Sequence, residues 1–462
     1  MITSDIKDKL RAIVGADNVL DADLDRFGYS YDSSFVPLLP ANKPDVVVRP
    51  LTTAEVSAVM ALANTHAIPV TARGAASGRT GGSIPLAGGI SLTLDRMTKI
   101  IELDEANMMV TAEAGVRTID LYNFCAAKGL FYPPDPASWK FSTIGGNVAE
   151  NAGGMRAVKY GVTNNYVMGL EIVLADGTVI NTGGKAIKNV TGYNLTSLFT
   201  GSEGTLGIIT KVILRLIAMP KTRNTLQLMF PSLDEACATI HAMLQQGIVP
   251  ASAEIMDKIC IQAVARHRKL DIDPGIEACV VTEIDGDKDE ALAAQASQIE
   301  AIARQHNVSE VRIAQSPQEA DEIWAIRRGL SSAVGAMAPN RLGEDISVPR
   351  NAFPEVVRRI RAIAEKYKLT IAVYGHAGDG NLHPSVLCDL ANADEAERVH
   401  QAVDEIFAAA LAVGGTLSGE HGIGITKRGY IASALGEGGV SALKAVKQAL
   451  DPKGILNPGK IW

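Results

Sequence analysis

Val70-Thr-Ala-Arg-Gly-Ala-Ala-Ser-Gly-Arg-Thr-Gly-Gly82 places four glycines directly after an apolar run. The run reads as a strand over 68–72. Glycines following a strand let backbone N–H groups turn toward an anion, and the small side chains permit close approach. The spacing from Gly74 to Gly78 is one residue short of a P-loop, and Arg79 stands where a lysine is required, so a Walker A site is rejected. No G-x-G-x-x-G opens a helix after a strand, which removes a nicotinamide Rossmann site. Taken alone, the segment also reads as a flexible loop.

Working outward, Val46-Val-Val48 reads as a strand, residues 53–66 as a helix and 89–94 as a further strand, a β-α-β opening. An amphipathic helix is expected over 117–129, and a hairpin over 171–180 turned on Asp176-Gly177. A long strand over 207–216 closes this half at Met219-Pro220. Beyond 221 the rhythm changes. Helices are expected over 233–245, 286–306, 317–334, 351–367 and 392–412, with strands near 225–230, 277–284, 309–314, 343–348, 370–375 and 384–388. This predicts an α+β domain with helices against one sheet. The tail Asp451-Pro-Lys-Gly-Ile-Leu-Asn-Pro-Gly-Lys460 is too rich in Pro and Gly for a regular element and is expected to lie as an ordered strap.

At 462 residues and 47% hydrophobic, the chain is globular and too long for one core. A net charge of -7 with no basic stripe argues against a nucleic-acid partner. The cysteines at 125, 237, 260, 279 and 388 form no CxxC, so neither an Fe–S centre nor a disulfide framework is expected, and reduced cytoplasmic thiols are the natural reading. The first ten residues read as an exposed helix without a signal core. No segment is apolar for roughly twenty residues, so no membrane span is expected. Peripheral attachment to a membrane through a partner stays open.

The chemistry concentrates in His376-Ala-Gly-Asp-Gly-Asn-Leu-His383 and Gly419-Glu420-His421-Gly422. Leu369–Gly375 reads as a buried strand, and Asp379-Gly380 is a tight-turn dipeptide, so the two imidazoles are expected to face one another across a hairpin-like bend. Glu420 would complete a two-histidine, one-carboxylate set with open positions, leaving His421 to move protons. Two duller readings remain beside it: polar residues at a turn, and an acidic residue at a helix start.

Further segments join the glycine loop in order: Tyr132-Pro-Pro-Asp-Pro-Ala-Ser138, Ser142-Thr-Ile-Gly-Gly-Asn147, Ala152-Gly-Gly154, Lys159-Tyr-Gly161 and Gly201-Ser-Glu-Gly-Thr-Leu-Gly207. Together they resemble the FAD-linked oxidases of the vanillyl-alcohol oxidase and p-cresol methylhydroxylase superfamily. The second half resembles its D-lactate dehydrogenase, glycolate oxidase flavin-subunit and D-2-hydroxyglutarate dehydrogenase branch. The resemblance covers roughly residues 40 to 460.

It implies a two-subdomain FAD-binding domain of the p-cresol methylhydroxylase type over 1–218. A substrate domain over 219–425, with a mostly antiparallel sheet flanked by helices, would carry the metal, and residues 426–462 would return to the FAD domain. Arg73, Gly74, Ala75, Ala76, Ser77, Gly78, Gly81 and Gly82 would hold the pyrophosphate. Pro134, Asp135, Ser138, Gly145, Gly146 and Asn147 would run along the flavin, with Gly153, Gly154, Tyr160, Gly161, Ile208, Ile209 and Asn457 also assigned to the cofactor. Some relatives attach flavin through a histidine in the first loop. Ser77 stands there, so FAD is expected to be non-covalent.

The implied reaction oxidises a small D-2-hydroxy acid, with a divalent metal, zinc or manganese, on His376, His383 and Glu420 and with His421 as base. Arg327, in Trp324-Ala-Ile-Arg-Arg328, is the implied partner of the substrate carboxylate; its rival role is pairing with Asp321 or Glu322 on its own helix. Arg341-Leu-Gly-Glu-Asp345 lacks the lysine of the D-2-hydroxyglutarate branch, and Ser385 replaces its polar amide. D-Lactate or glycolate is therefore preferred to a diacid, although Arg341 or Arg350 could serve one. Electrons would leave to a quinone, a cytochrome, an electron-transfer flavoprotein or an Fe–S subunit, in a homodimer or a hetero-complex. The alternatives are a diacid dehydrogenase, the superfamily's ether-forming synthase and a non-catalytic electron-relay subunit.

Overall fold

The computed structural model describes residues 2–462, which fall into two compact units. The first comprises residues up to Gly153, Val162–Met219 and Glu420–Trp462; the second comprises Gly154–Gly161 and Pro220–Gly419.

The first unit contains two main sheets. β1 (Val19–Leu20), β2 (Val46–Val48), β3 (Val70–Arg73) and β4 (Ile90–Thr93) lie in the order β1-β2-β4-β3, with β2 and β3 both parallel to β4. The helix Thr53–Thr65 makes the crossover between β2 and β3. Thr52 starts it by accepting the Glu55 N–H at 3.2 Å, a cap that contributes about 1 kcal/mol. Next come β5 (Ile100–Asp104), β6 (Met109–Glu113), β7 (Leu130–Phe131), β8 (Val167–Val173), β9 (Val179–Gly183), β10 (Ile208–Arg215) and β11 (Ile217–Ala218). Five of these form an antiparallel sheet ordered β5-β6-β10-β8-β9, while β7 pairs with β11. The β8–β9 hairpin turns where Gly177 takes φ +91.

Several elements depart from the sequence reading. The N-terminal helix Ser4–Val14 is not simply exposed: Ile6, Leu10 and Val14 repeat at helical spacing and are buried in the first core. The stretch after Tyr430, where Gly436, Gly438 and Gly439 give no regular pattern in the sequence, is helical over Ile431–Leu450 and breaks at Gly436 (φ 67, ψ 166). The single strand expected over 343–348 is divided around Glu344-Asp345.

The second unit is built on one antiparallel sheet. Its strands are β12 (Thr222–Phe230), β13 (Ser252–Asp257), β14 (Ala278–Gly286), β15 (Glu310–Ile313), β16 (Asn340–Gly343), β17 (Ile346–Ser347), β18 (Thr370–His376) and β19 (Asn381–Cys388). The order is β15-β12-β14-β13-β18-β19-β16, with β17 also on β19. β13 and the helix that follows it, Lys258–Arg268, were not anticipated. Asp257 joins them: its Oδ1 accepts the Cys260 N–H at 2.9 Å and its Oδ2 accepts the Val373 N–H at 3.0 Å. One face of the sheet, including Met256, Cys279, Tyr374 and Leu387, packs on that helix and on Pro317–Gly335. Ser316 caps the latter by accepting from Glu319, and Pro317 sits in its first turn. The helices Leu233–Gln245, Asp289–Gln305, Phe353–Tyr367 and Ala393–Ala412 complete the unit.

Candidate functional site

The first unit encloses a cavity of about 180 Å³ lined largely by glycine, alanine and serine. Arg73, Gly74, Ala75, Ala76, Ser77, Gly78, Gly82, Ser138, Gly145, Gly146, Asn147, Gly153, Ile208 and Ile209 all line it. Arg73 contributes backbone, because its guanidinium turns away to the carbonyls of Tyr31 at 2.9 Å and Gly28 at 3.3 Å. At Gly74 an added Cβ would sit 2.4 Å from Thr143 Oγ1, so only glycine lets the loop approach this closely.

Thr143 Oγ1 is buried and makes no hydrogen bond within the protein. Such a donor, bordering a cavity walled by small residues, fits a polar, phosphate-bearing cofactor. Gly81, Pro134, Asp135 and Asn457 do not line the cavity. Asn457 instead donates through Nδ2 to the carbonyls of Gly82 (2.8 Å) and Glu203 (2.7 Å), holding the loop from behind. Gly154, Tyr160 and Gly161 belong to the second unit.

Glu150, Glu203, Glu420 and His421, together with Arg79, bring charge chemistry to the cavity wall. The first two were not anticipated as site residues. Burial, reinforced by Glu203, holds the Glu150 carboxyl well above its ordinary range. Burial also raises Glu203, against the pull of the Ile423 and Gly424 N–H groups that donate to it at 2.7 Å. His421 Nε2 lies 3.7 Å from Glu420 Oε1.

The second unit carries the histidines. β18 and β19 pair so that Tyr374 faces His383 and His376 faces Asn381, which puts Tyr374, His376 and His383 on one face of the sheet. The imidazoles meet as expected, with Nε2 atoms 3.4 Å apart and rings at 85°. Two nitrogens bound at about 2.05 Å around a tetrahedral ion would stand about 3.4 Å apart, so the spacing suits a shared cation.

Both rings also meet carboxylates on their far sides. Glu254, the cross-strand neighbour of His376 on β13, places Oε1 2.5 Å from His376 Nδ1. Asp345 Oδ1 lies 3.7 Å from His383 Nδ1. Asp345 is fully buried at the break between β16 and β17, where its Oδ2 accepts from Ser418 Oγ (2.6 Å) and from the Gly419 N–H (2.9 Å). It thereby fixes the residue that immediately precedes Glu420.

Arg327 does not pair along its own helix. Its Nε donates to Glu254 Oε2 at 2.7 Å, while Asp321 is taken by Arg328 and Glu322 by Arg312. Burial pushes the Glu254 carboxyl up, but His376 and Arg327 outweigh burial and leave it below its ordinary range. The Arg327 guanidinium also sits 5.2 Å from the centroid of the Tyr374 ring, which lies 5.7 Å from that of His383. His376, Glu254, Arg327, Tyr374 and His383 thus form a closed circuit. Glu254 and Tyr374 escaped the sequence reading; an acid inside the apolar run Ala251-Ser-Ala-Glu-Ile-Met256 was the available signal.

The chain belongs to the FAD-linked oxidases. Residues 219–461 match the family described as FAD linked oxidases, C-terminal domain, and residues 44–183 match the FAD binding domain. It is an FAD-linked oxidoreductase. Its relatives include glycolate oxidase subunit GlcD of Bacillus subtilis (strain 168), 42% identical over 100% of this chain and 97% of that protein. D-Lactate dehydrogenase of Anaerostipes hadrus is 36% identical over 91% and 90%. Among solved structures, p-cresol methylhydroxylase with substrate bound superposes with a TM-score of 0.82 at 19% identity, covering 100% of this chain and 97% of that one. 4-Ethylphenol oxidase from Gulosibacter chungangensis gives 0.79 at 21%, over 99% and 97%. These two establish the fold, including its p-cresol methylhydroxylase-type FAD-binding part.

Proposed function

We propose that the chain oxidises a small D-2-hydroxy acid, D-lactate or glycolate, to the 2-oxo acid. The observation that carries this reading is Glu254, which holds a metal-ready imidazole on one oxygen and a guanidinium on the other. A 2-hydroxy acid presents a matching pair of groups, a hydroxyl and a carboxylate. Non-covalent FAD supplies the hydride acceptor, and a divalent cation, zinc or manganese, acidifies the hydroxyl. His376, His383 and Glu420 would hold that cation. Arg327 would orient the substrate carboxylate through its outer nitrogens, and His421 would take the hydroxyl proton. The cavity-lining residues of the first unit, with Asn457 behind them, would seat the FAD.

The monoacid is favoured over a diacid because Arg341 is already engaged, donating to Ser331 O and Oγ at 2.8 and 2.9 Å. The five cysteines are scattered and unpaired, so electrons leave to a separate acceptor: a quinone, a cytochrome, an electron-transfer flavoprotein or an Fe–S subunit. The name of the B. subtilis relative describes a subunit, which supports a hetero-complex. Among the described residues no helix is long and apolar enough to cross a membrane. We place the chain in the cytoplasm, reaching a membrane only through a partner.

The test is anaerobic titration of the yellow protein with D-lactate and glycolate, with and without a chelator. Bleaching that the chelator abolishes is expected. A flavin that neither acid bleaches overturns the reading.

A further inference from the structure

Glu254 has 0% side-chain exposure, and its carboxylate meets His376 on one oxygen and Arg327 on the other. Its strand places it opposite His376, while Arg327 descends from the helix Pro317–Gly335 that covers this face of the sheet. The two carboxylate oxygens divide between two donors, His376 Nδ1–H and Arg327 Nε–H. The first contact fixes the tautomer that leaves His376 Nε2 with a lone pair. The second immobilises the guanidinium through Nε and leaves its two outer nitrogens for another carboxylate.

We propose that Glu254 is a positioning residue that sets the cation site through one carboxylate oxygen and the substrate-carboxylate clamp through the other. This rests on the metal and substrate roles proposed above for His376, His383 and Arg327. Glutamine is nearly isosteric but offers one acceptor and one donor to two donors. In Glu254→Gln one contact must break, or His376 must move its proton onto the nitrogen that would ligate.

The experiment measures zinc affinity by competition with a chromophoric chelator, and the KM for D-lactate at saturating zinc. Glu254→Gln is expected to weaken zinc roughly 10–100-fold and to raise KM by about tenfold or more, the scale of a lost charge-assisted hydrogen bond. Glu254→Asp keeps the charge on a shorter arm. It stays beside its cross-strand neighbour His376 and loses the helix-borne Arg327, so zinc affinity holds within a few-fold while KM rises. Retained yellow colour in either variant reports a folded flavin-binding unit, and the Asp variant carries the test if the Gln variant does not fold. A zinc-binding wild type whose Gln variant leaves both quantities unmoved overturns the inference, as does an Asp variant with unchanged KM. A wild type that binds no zinc instead overturns the metal reading beneath it.

Discussion

His376 Nε2 and His383 Nε2 stand 3.4 Å apart on paired strands. Each ring has a buried carboxylate on its opposite side, Glu254 for one and Asp345 for the other. Replacing His383 by alanine removes half of this pair without touching the first unit's cavity. His383→Ala is expected to lose stoichiometric metal while keeping FAD, read by elemental analysis alongside absorbance. Full metal retention would refute the ligand set.

His421 lines the cavity of the first unit, and its backbone carbonyl accepts a hydrogen bond from Thr80 Oγ1 at 3.2 Å. His421→Ala is expected to leave FAD bound but to slow flavin reduction by D-lactate at least about a hundredfold, the scale of a lost general base. Stopped-flow absorbance checks this, and near-normal reduction would remove His421 from the reaction.

Asn457 steadies the glycine loop from outside the cavity. Asn457→Ala strips hydrogen bonds from the carbonyls of Gly82 and Glu203. A loss of about 1.4 kcal/mol in loop order would weaken FAD binding about tenfold. Fluorescence titration of the apoprotein measures it; an unchanged dissociation constant would show that the loop holds itself.

Gly375 precedes His376 in β18, and a Cβ there would lie 2.2 Å from the Asn381 carbonyl oxygen of β19. Gly375→Ala must push the two strands apart. The expected cost is about 1–3 kcal/mol of stability, with weakened zinc binding because the imidazole spacing opens. Thermal unfolding and chelator competition report the two effects separately.

All five thiols titrate above the ordinary range. Burial pushes Cys125, Cys237 and Cys279 up to about 12 and raises Cys260 and Cys388 as well. A raised thiol pKa means little thiolate near neutrality, and the thiolate is the reactive form. The native protein should resist Ellman's reagent at pH 8 and release all five thiols on unfolding. Rapid labelling of a native thiol would contradict the burial that raises it.

Local patterns made much of this legible. The Asp379-Gly380 turn predicted that two imidazoles would meet, because a tight turn fixes register over its neighbouring residues. The glycine loop was legible because close backbone approach, as at Gly74 beside Thr143, demands a residue without a side chain. Glu254 was not legible: its partner His376 is 122 residues away, and only the pairing of β13 with β18 brings them together. Arg327 is visible in the sequence, but the partners this suggests, Asp321 and Glu322, lie five or six residues away on its own helix, whereas Glu254 is 73 residues away. The helix Ile431–Leu450 was hidden by Gly436, Gly438 and Gly439, which argue for a loop until tertiary contacts override them.

The strap has a consequence for the order of events in synthesis. Val70 donates to the Ile455 carbonyl, and Val70 O accepts the Asn457 N–H, so the strand feeding the glycine loop is flanked by residues made far later. Asn457 and the Gly82 carbonyl it holds are 375 residues apart in the chain. At a ribosomal pace of roughly 5–20 residues per second, that interval lasts tens of seconds, during which the whole second unit emerges. The cavity's glycine loop is therefore made early but gains these contacts only once Ile455 and Asn457 have emerged. A nascent chain stalled before Asn457 should bind FAD weakly, so cofactor capture would wait for Asn457 to emerge.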